Sequence, residues 1–196
     1  MSFGSSPVLG PISFQLDKGQ RLALTGPSGV GKSTLLRIIA GLETGFAGRC
    51  EFDGVLSMVF QEPNLLPWRS AVQNVTLATG VGADEAEAAL SEVGLGGLGQ
   101  RLPEQLSLGQ QRRLSLARAL AVKPDLVLLD EPFVSLDEGL ATEMIELTDR
   151  LLQAAGAAAI LVTHAMDEAE RLAPRRLVLS GTPATAVERG ADGASL

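Results

Sequence analysis

The chain has 196 residues, 45% of them hydrophobic, a formal net charge of −7 and a single cysteine. That apolar content can bury one domain with a small inserted lobe, and the composition excludes a disordered chain, a disulfide scaffold and a cysteine metal cluster. The acidic balance argues against a nucleic-acid partner or a surface that adheres to anionic lipid, so an anionic ligand has to be held by local features.

The opening MSFGSSPVLG lacks a basic stretch followed by an apolar core and does not read as a signal peptide. RLALT, residues 21–25, reads as a buried strand, followed by a glycine loop and the helix STLLRIIAGL. RCEF (50–53) and SMVF (57–60) read as short strands, with Cys50 a small residue beside the first. From Ser70 to Gly94 the pattern changes: SAVQNVTLATG and ADEAEAALSEVGL are helical with no strand between them, which predicts a helical lobe inserted at about 64–122. The lobe continues after LSLGQQ (106–111), where Leu114, Ala117, Leu120 and Ala121 keep helical spacing until Pro124. Arg112, Arg113 and Arg118 on that helix read as a solvated face.

LVLLD (126–130) is a continuous apolar strand, and a helix over about 140–155 carries Leu140, Met144, Leu147 and Leu151 on one stripe before Gly156. AAILVTH (158–164) and RRLVLS (175–180) supply the last strands, leaving 181–196 as a loose tail beyond a single domain, 1–180. The longest small-and-apolar run, AAGAAAILV, falls well short of the roughly 18 residues that span a bilayer, so a soluble chain is expected. Alternating strands and helices predict an α/β fold with a mainly parallel sheet covered on both faces.

Four strand ends carry chemistry. GPSGVGKST, residues 26–34, follows the RLALT strand and has the G-x-x-x-x-G-K-[ST] spacing of a phosphate loop. Its glycines let successive N–H groups turn inward around a phosphate, Lys32 can neutralise phosphate oxygens, and the Ser33 hydroxyl can hold Mg²⁺. LVLLDEP ends in two acids at the edge where parallel sheets bind ligands; Asp130 can reach a magnesium shell and Glu131 can polarise an attacking water. His164, the one histidine, by itself reads as structural more readily than catalytic, but its place at another strand end beside the acids would let its imidazole donate to a phosphate. Gln61 ends SMVF, and its amide can touch both metal shell and water. Ser107 and Gly109, heading a helix, make a second anion site without an evident purpose.

The ordered series GPSGVGKST, VFQEP, LSLGQQ, LVLLDEP, SLD and LVTH resembles the nucleotide-binding subunit of ATP-binding cassette (ABC) transporters, over about residues 3–180. That resemblance implies a P-loop NTPase fold of ABC ATPase type, ATP and Mg²⁺ as ligands, and ATP hydrolysis as the activity. It makes Gly26, Pro27, Ser28, Gly29, Val30, Gly31, Lys32, Ser33 and Thr34 the Walker A loop, Gln61 the Q-loop, Asp130 and Glu131 Walker B, Asp137 the D-loop, and His164 the switch. LSLGQ stands where the family has LSGGQ, so Leu108 replaces a glycine.

The resemblance also accounts for the second anion site. It implies a head-to-tail dimer, with itself or with a second ABC ATPase subunit, in which Ser107, Gly109, Gln110 and Asp137 meet the other chain's ATP. QEPNLLPWRSAVQNV resembles importers for nitrate, sulfonates, taurine and thiamine, which implies a membrane permease, an extracytoplasmic binding protein and a position on the cytoplasmic face of the inner membrane. Trp68, with Leu65 and Leu66, fits either a permease contact or a core anchor. Phe3 is the candidate to stack on adenine, with only two residues before it where the family has a complete strand. Gln61 follows the phosphate loop closely, implying a trimmed antiparallel β subdomain. A soluble, non-transport ABC-type ATPase is the alternative; it predicts coiled-coil insertions, zinc cysteines or a tandem cassette, and the sequence has none.

Overall fold

The computed structural model describes residues 2–3 and 6–189, with side chains from residue 8 onward. In chain order the strands are β1 (Ser2–Phe3), β2 (Ser6–Pro7), β3 (Arg21–Thr25), β4 (Leu56–Val59), β5 (Leu126–Asp130), β6 (Ala158–Val162), β7 (Arg175–Ser180) and β8 (Thr185–Arg189). The helices are α1 (Lys32–Ile39), α2 (Ala71–Thr79), α3 (Ala83–Glu92), α4 (Leu108–Leu120), α5 (Glu138–Ala155) and α6 (Met166–Leu172). The main sheet runs β4-β5-β6-β3-β7-β8, parallel throughout except for the antiparallel β7–β8 pair, while β1 and β2 form a separate two-stranded pair.

Both faces of this sheet are apolar because successive side chains point to opposite sides and both sides are covered. Leu126 and Leu128 of β5, Ile160 and Val162 of β6, and Leu22 and Leu24 of β3 join a core with Leu35 and Leu36 of α1. Their neighbours Val127, Leu129, Ala159 and Leu161 join a larger core with α5 and the helical lobe. Lobe residues Val75, Ala86, Leu90, Leu114 and Ala117 belong to the same cluster as those strand residues, so the lobe shares its core with the sheet. Asn74, fully buried, ties the segment before α2 in place: its amide nitrogen donates to the carbonyls of Leu66, Arg69 and Ser70, and its oxygen accepts from the Leu66 amide.

Two local readings are corrected. RCEF forms no strand; the segment between α1 and β4 contains none, and Cys50 is exposed in it. A cavity of about 780 Å³ opens there, lined by Leu9, Ile12, Phe14, Ile38, Phe46 and Phe52, because this loop and residues 9–16 cover the α1 side of the sheet loosely. The expected loose tail instead begins with β8, which pairs with β7 from Ser180↔Thr185 to Arg176↔Arg189. Arg175 of β7 also pairs with Glu188 of β8 at 2.5 Å. The antiparallel material therefore lies at the two ends of the described chain, where alternating small residues such as TAVER gave too weak a periodic signal to read. Helix α6 was likewise too short to stand out.

Removing β8 would strip β7 of its antiparallel partner and leave the Arg175 guanidinium without Glu188. A chain ending at Gly181 is expected to unfold about 2–4 kcal/mol more easily than the full chain, from lost ladder hydrogen bonds and cross-strand pairs. Urea denaturation followed by circular dichroism measures the difference.

Candidate nucleotide site

Four adjacent strands end on one edge, and the expected site residues follow them. In sheet order these are Gln61 beyond β4, Asp130 and Glu131 at β5, His164 beyond β6, and the glycine loop beyond β3. Such an edge, past the C-terminal ends of parallel strands, is where α/β folds bind ligands.

The loop between β3 and α1 is built around Gly26 and Gly31. Gly26 has φ of 144°, and a β-carbon there would lie 2.4 Å from the Leu179 carbonyl oxygen, so only glycine fits between β3 and β7. Gly31 caps α1 in a left-handed conformation with φ of 109°, leaving the first helical amides facing the loop. Pro27, Ser28 and Gly29 are exposed at the loop's crown, with Val30 and Thr34 half-buried beside it. Lys32 is buried with its ammonium turned back into the loop, donating to the carbonyls of Gly26 at 2.9 Å and Pro27 at 3.0 Å.

Ser33, the next residue of α1, donates its hydroxyl to Asp130 Oδ1 at 3.0 Å, joining the phosphate loop to the end of β5. Burial pushes the Asp130 carboxyl up from its ordinary value; the Ser33 hydrogen bond and then Arg37 and Lys32 oppose that shift, and Glu131 reinforces it. A hard-oxygen pair with an under-neutralised carboxylate suits a magnesium ion that takes its other ligands from phosphate and water. Among the described residues no three His, Cys, Asp or Glu side chains gather to hold a metal by themselves.

Glu131 adopts a left-handed conformation with φ of 46°, which costs about 1–2 kcal/mol for a residue with a β-carbon. Its amide is nevertheless tied to the Val162 carbonyl at 3.0 Å, and its carboxylate lies 3.7 Å from His164 Nδ1. His164 is exposed on a short turn set by Thr163, whose hydroxyl accepts from the Ala165 amide and donates to Glu168. Burial pushes the Glu168 carboxyl up, opposed first by that hydrogen bond. Gln61 is exposed and makes no side-chain hydrogen bond among the described residues.

A second group of expected residues forms around the head of α4. Ser107 caps the helix reciprocally with Gln110: its hydroxyl accepts from the Gln110 amide at 3.3 Å, and Gln110 Oε1 accepts from the Ser107 amide at 2.9 Å. Gly109 faces Leu140 so closely that a β-carbon would stand 3.0 Å from Leu140 Cδ1. Asp137 caps α5 by accepting from the Leu140 amide at 3.0 Å, so the two helix starts are neighbours. Leu108, the first residue of α4, has no positive φ and is half exposed. No hydrogen bond among the described residues joins this group to the phosphate-loop group. Phe3 falls in β1, with its side chain outside the described residues.

The arginines of α4 do not form a solvated face. Arg118 donates to the carbonyls of Pro63 and Asn64, each at 2.8 Å, Arg113 bonds Glu143 and the Val93 carbonyl, and Arg112 is buried. The helical spacing of apolar residues on α4 marked the buried stripe but said nothing of carbonyls waiting beside it. Trp68, by contrast, is 70% exposed, which removes the core-anchor reading; Leu65 is the residue that packs on the core.

A parallel sheet in which a central strand feeds a phosphate loop, with Ser33 bonded to an acid on the next strand but one, defines a P-loop nucleotide-binding protein. The ABC transporter family profile matches residues 9–134, well over half of the chain. The sequence is 46% identical over 181 residues to an aliphatic sulfonates import ATP-binding protein SsuB 2 of Rhizobium johnstonii, covering 90% of this chain and 73% of that protein. It is 42% identical over 194 residues to SsuB 1 of Pseudomonas savastanoi pv. phaseolicola, covering 96% and 81%. The dimeric ATP-binding cassette MJ0796, solved in a post-hydrolysis state with ADP and Pi, superposes with a TM-score of 0.78 at 27% identity, over 95% of this chain and 92% of that one. The chain belongs to the ABC transporter family, as an ATP-binding, ATP-hydrolysing subunit.

Two substitutions test the geometry. Gly26→Ala forces a methyl group against the Leu179 carbonyl and is expected to cost at least about 1–3 kcal/mol of stability together with nucleotide affinity; thermal melts with and without ATP read both. Glu168→Gln removes a carboxylate that burial disfavours while keeping an acceptor for Thr163. Because the folded-state pKa of Glu168 is raised, wild-type stability falls as pH rises from the ordinary glutamate range through that pKa. The variant is therefore expected to melt higher than wild type at neutral pH, with the gap closing in acid, as measured by Tm across pH.

Proposed function

We propose that this chain hydrolyses ATP in a head-to-tail dimer to drive import of aliphatic sulfonates through a separate membrane permease. The observation that carries the catalytic part is the Ser33–Asp130 hydrogen bond, which brings a phosphate loop against the acid pair Asp130–Glu131. The importer and its cargo rest on the 42% and 46% identity to the SsuB subunits. Among the described residues no helix is long and apolar enough to cross a membrane, in keeping with peripheral attachment at the cytoplasmic face. Exposed Trp68, on a segment clamped by Asn74, supplies an apolar contact for the permease. An extracytoplasmic binding protein completes an importer of this kind.

The residues divide the work by position. Loop N–H groups between Ser28 and Ser33 hold phosphate oxygens, and Lys32 exchanges its bonds to the Gly26 and Pro27 carbonyls for contacts to phosphate. Ser33 and Asp130 would hold Mg²⁺, which would neutralise charge on the phosphates. Glu131 accepts the proton of the attacking water, and His164, 3.7 Å from it, orients the transferred phosphate group by donating to it. Gln61, at the neighbouring strand end, reaches both water and metal. Ser107, Gly109 and Gln110, with Asp137 beside them, act on the ATP of the second chain; the separation of this cluster from the phosphate loop within one chain supports that division. Phe3 is the adenine-stacking candidate.

Glu131→Gln removes the proton acceptor and leaves ATP contacts intact. Turnover is expected to fall by about 10²–10⁴ while ATP-bound dimers accumulate, as measured by phosphate release and light scattering; a variant that stays monomeric with ATP beside an active wild type would contradict the sandwich mechanism. Lys32→Ala is expected to lose ATP binding or turnover in the same assays.

A further inference from the structure

Arg112 sits where an arginine is costly. It is 6% exposed, on the face of α4 turned to β4, and its Nε and Nη1 have no hydrogen-bond partner. The hydroxyls of Ser115 and Ser57 are also buried and unpartnered. A small void of about 10 Å³ adjoins the guanidinium, lined by Phe60, Ser115, Pro132, Phe133 and Thr148. Leaving a buried cation without partners costs several kcal/mol, and a methionine or leucine would fill the same place without that cost. A charge kept there calls for a function that uses it.

The surroundings indicate which. Phe60 directly precedes Gln61, Pro132 and Phe133 directly follow Glu131, and α4 begins at the signature cap, so the guanidinium lies among three segments that carry the site. Arg118 on the same helix already holds the loop beyond Gln61 through the carbonyls of Pro63 and Asn64. Only Gln61 and Glu62 remain exposed between buried Val59 and buried Pro63, apart from half-buried Phe60. Burial lowers the Arg112 pKa, and the one charge that opposes this is the Glu62 carboxylate.

We propose that Arg112 is a positioning residue for Gln61: in the nucleotide-loaded state its free N–H donors take the Glu62 carboxylate, and with Arg118 they fix the Gln61 loop to the signature helix. The assignment rests on the ATPase reading above. Movement of α4 then carries Gln61 with it, so the head of the helix that serves the second chain's ATP and the glutamine that serves this chain's own are linked through two arginines. A planar fork with several donors suits this better than an ammonium, because it can pair with a carboxylate and a hydroxyl together.

The test is steady-state ATPase kinetics of Arg112→Met, Arg112→Lys, Glu62→Gln and the Met/Gln double variant in the full chain, with Tm measured for each. Expected are a fall in kcat of roughly tenfold for Arg112→Met and for Glu62→Gln at nearly unchanged KM, and a double variant no slower than either single. Arg112→Lys should retain more activity than Arg112→Met, and the Tm of Arg112→Met should not fall, since an apolar side chain replaces an unpaired charge. Wild-type kcat in Glu62→Gln, losses that multiply in the double variant, or a lowered Tm with kcat intact in Arg112→Met would each overturn the assignment. A wild-type chain that hydrolyses no ATP would overturn the ATPase reading itself, and the assignment with it.

Discussion

Parallel pairing of β4, β5, β6 and β3 is the constraint from which the site follows. Parallel strands in register end on the same edge, and here Asp130 stands opposite Val162, and Leu24 opposite Val162 on the other side. Residues one or two positions past each strand therefore meet without any contact being specified in advance. The phosphate loop, the acid pair, His164 and Gln61 are separated by as many as 138 positions from one end of that series to the other, yet each is local to a strand end. The pairing is stable because both faces of these strands are buried, through the continuous apolar runs LVLL of β5 and AAILV of β6.

That relation explains which parts were legible in the sequence. A continuous apolar run ending in a polar residue marks both a buried strand and the site position after it, so RLALT–Gly26, LVLLD–Glu131 and AAILV–His164 could be read together. The phosphate loop adds fixed spacing, and its glycine at 26 is demanded by the carbonyl of Leu179, a residue far away in the chain. The absent strand at 50–53 and the unexpected β8 share the opposite property. Edge and loop segments are decided by whether a neighbour offers free backbone groups, and four or five residues of alternating character cannot report that.

Charged residues on α4 were misread for a related physical reason. Helical periodicity distinguishes buried from exposed positions through apolar residues and assigns long basic side chains to solvent by default. An arginine can, however, bury its stem and spend its head on carbonyls left free by a bend. Asn64, with φ of 47°, provides such a bend, and Arg118 satisfies the carbonyl it turns inward. Arg112 goes one step further, with its head buried and two donors still free. The lobe is thus attached to the sheet by a shared apolar core that sets its place, while Arg118 of α4 reaches the loop beside the nucleotide edge.

Leu108 and Gly109 show how one motif can contain positions under unequal constraint. At the first residue of α4 the backbone is helical and the side chain half exposed, so leucine adds no strain within the chain. One position later a β-carbon would press on Leu140, whose own backbone amide is held by Asp137. Any shift of Leu140 to make room would pull on the cap of α5, so the glycine at 109 keeps two helix starts together while the leucine at 108 alters only what the helix presents outward. In the proposed sandwich dimer the exposed leucine would face the second chain's nucleotide, so its bulk would act on closure of the dimer and leave the Ser107–Gln110 cap intact. Substitution at 108 is therefore a change of interface within an unchanged fold, and it separates the role of the signature in building the helix start from its role in meeting ATP.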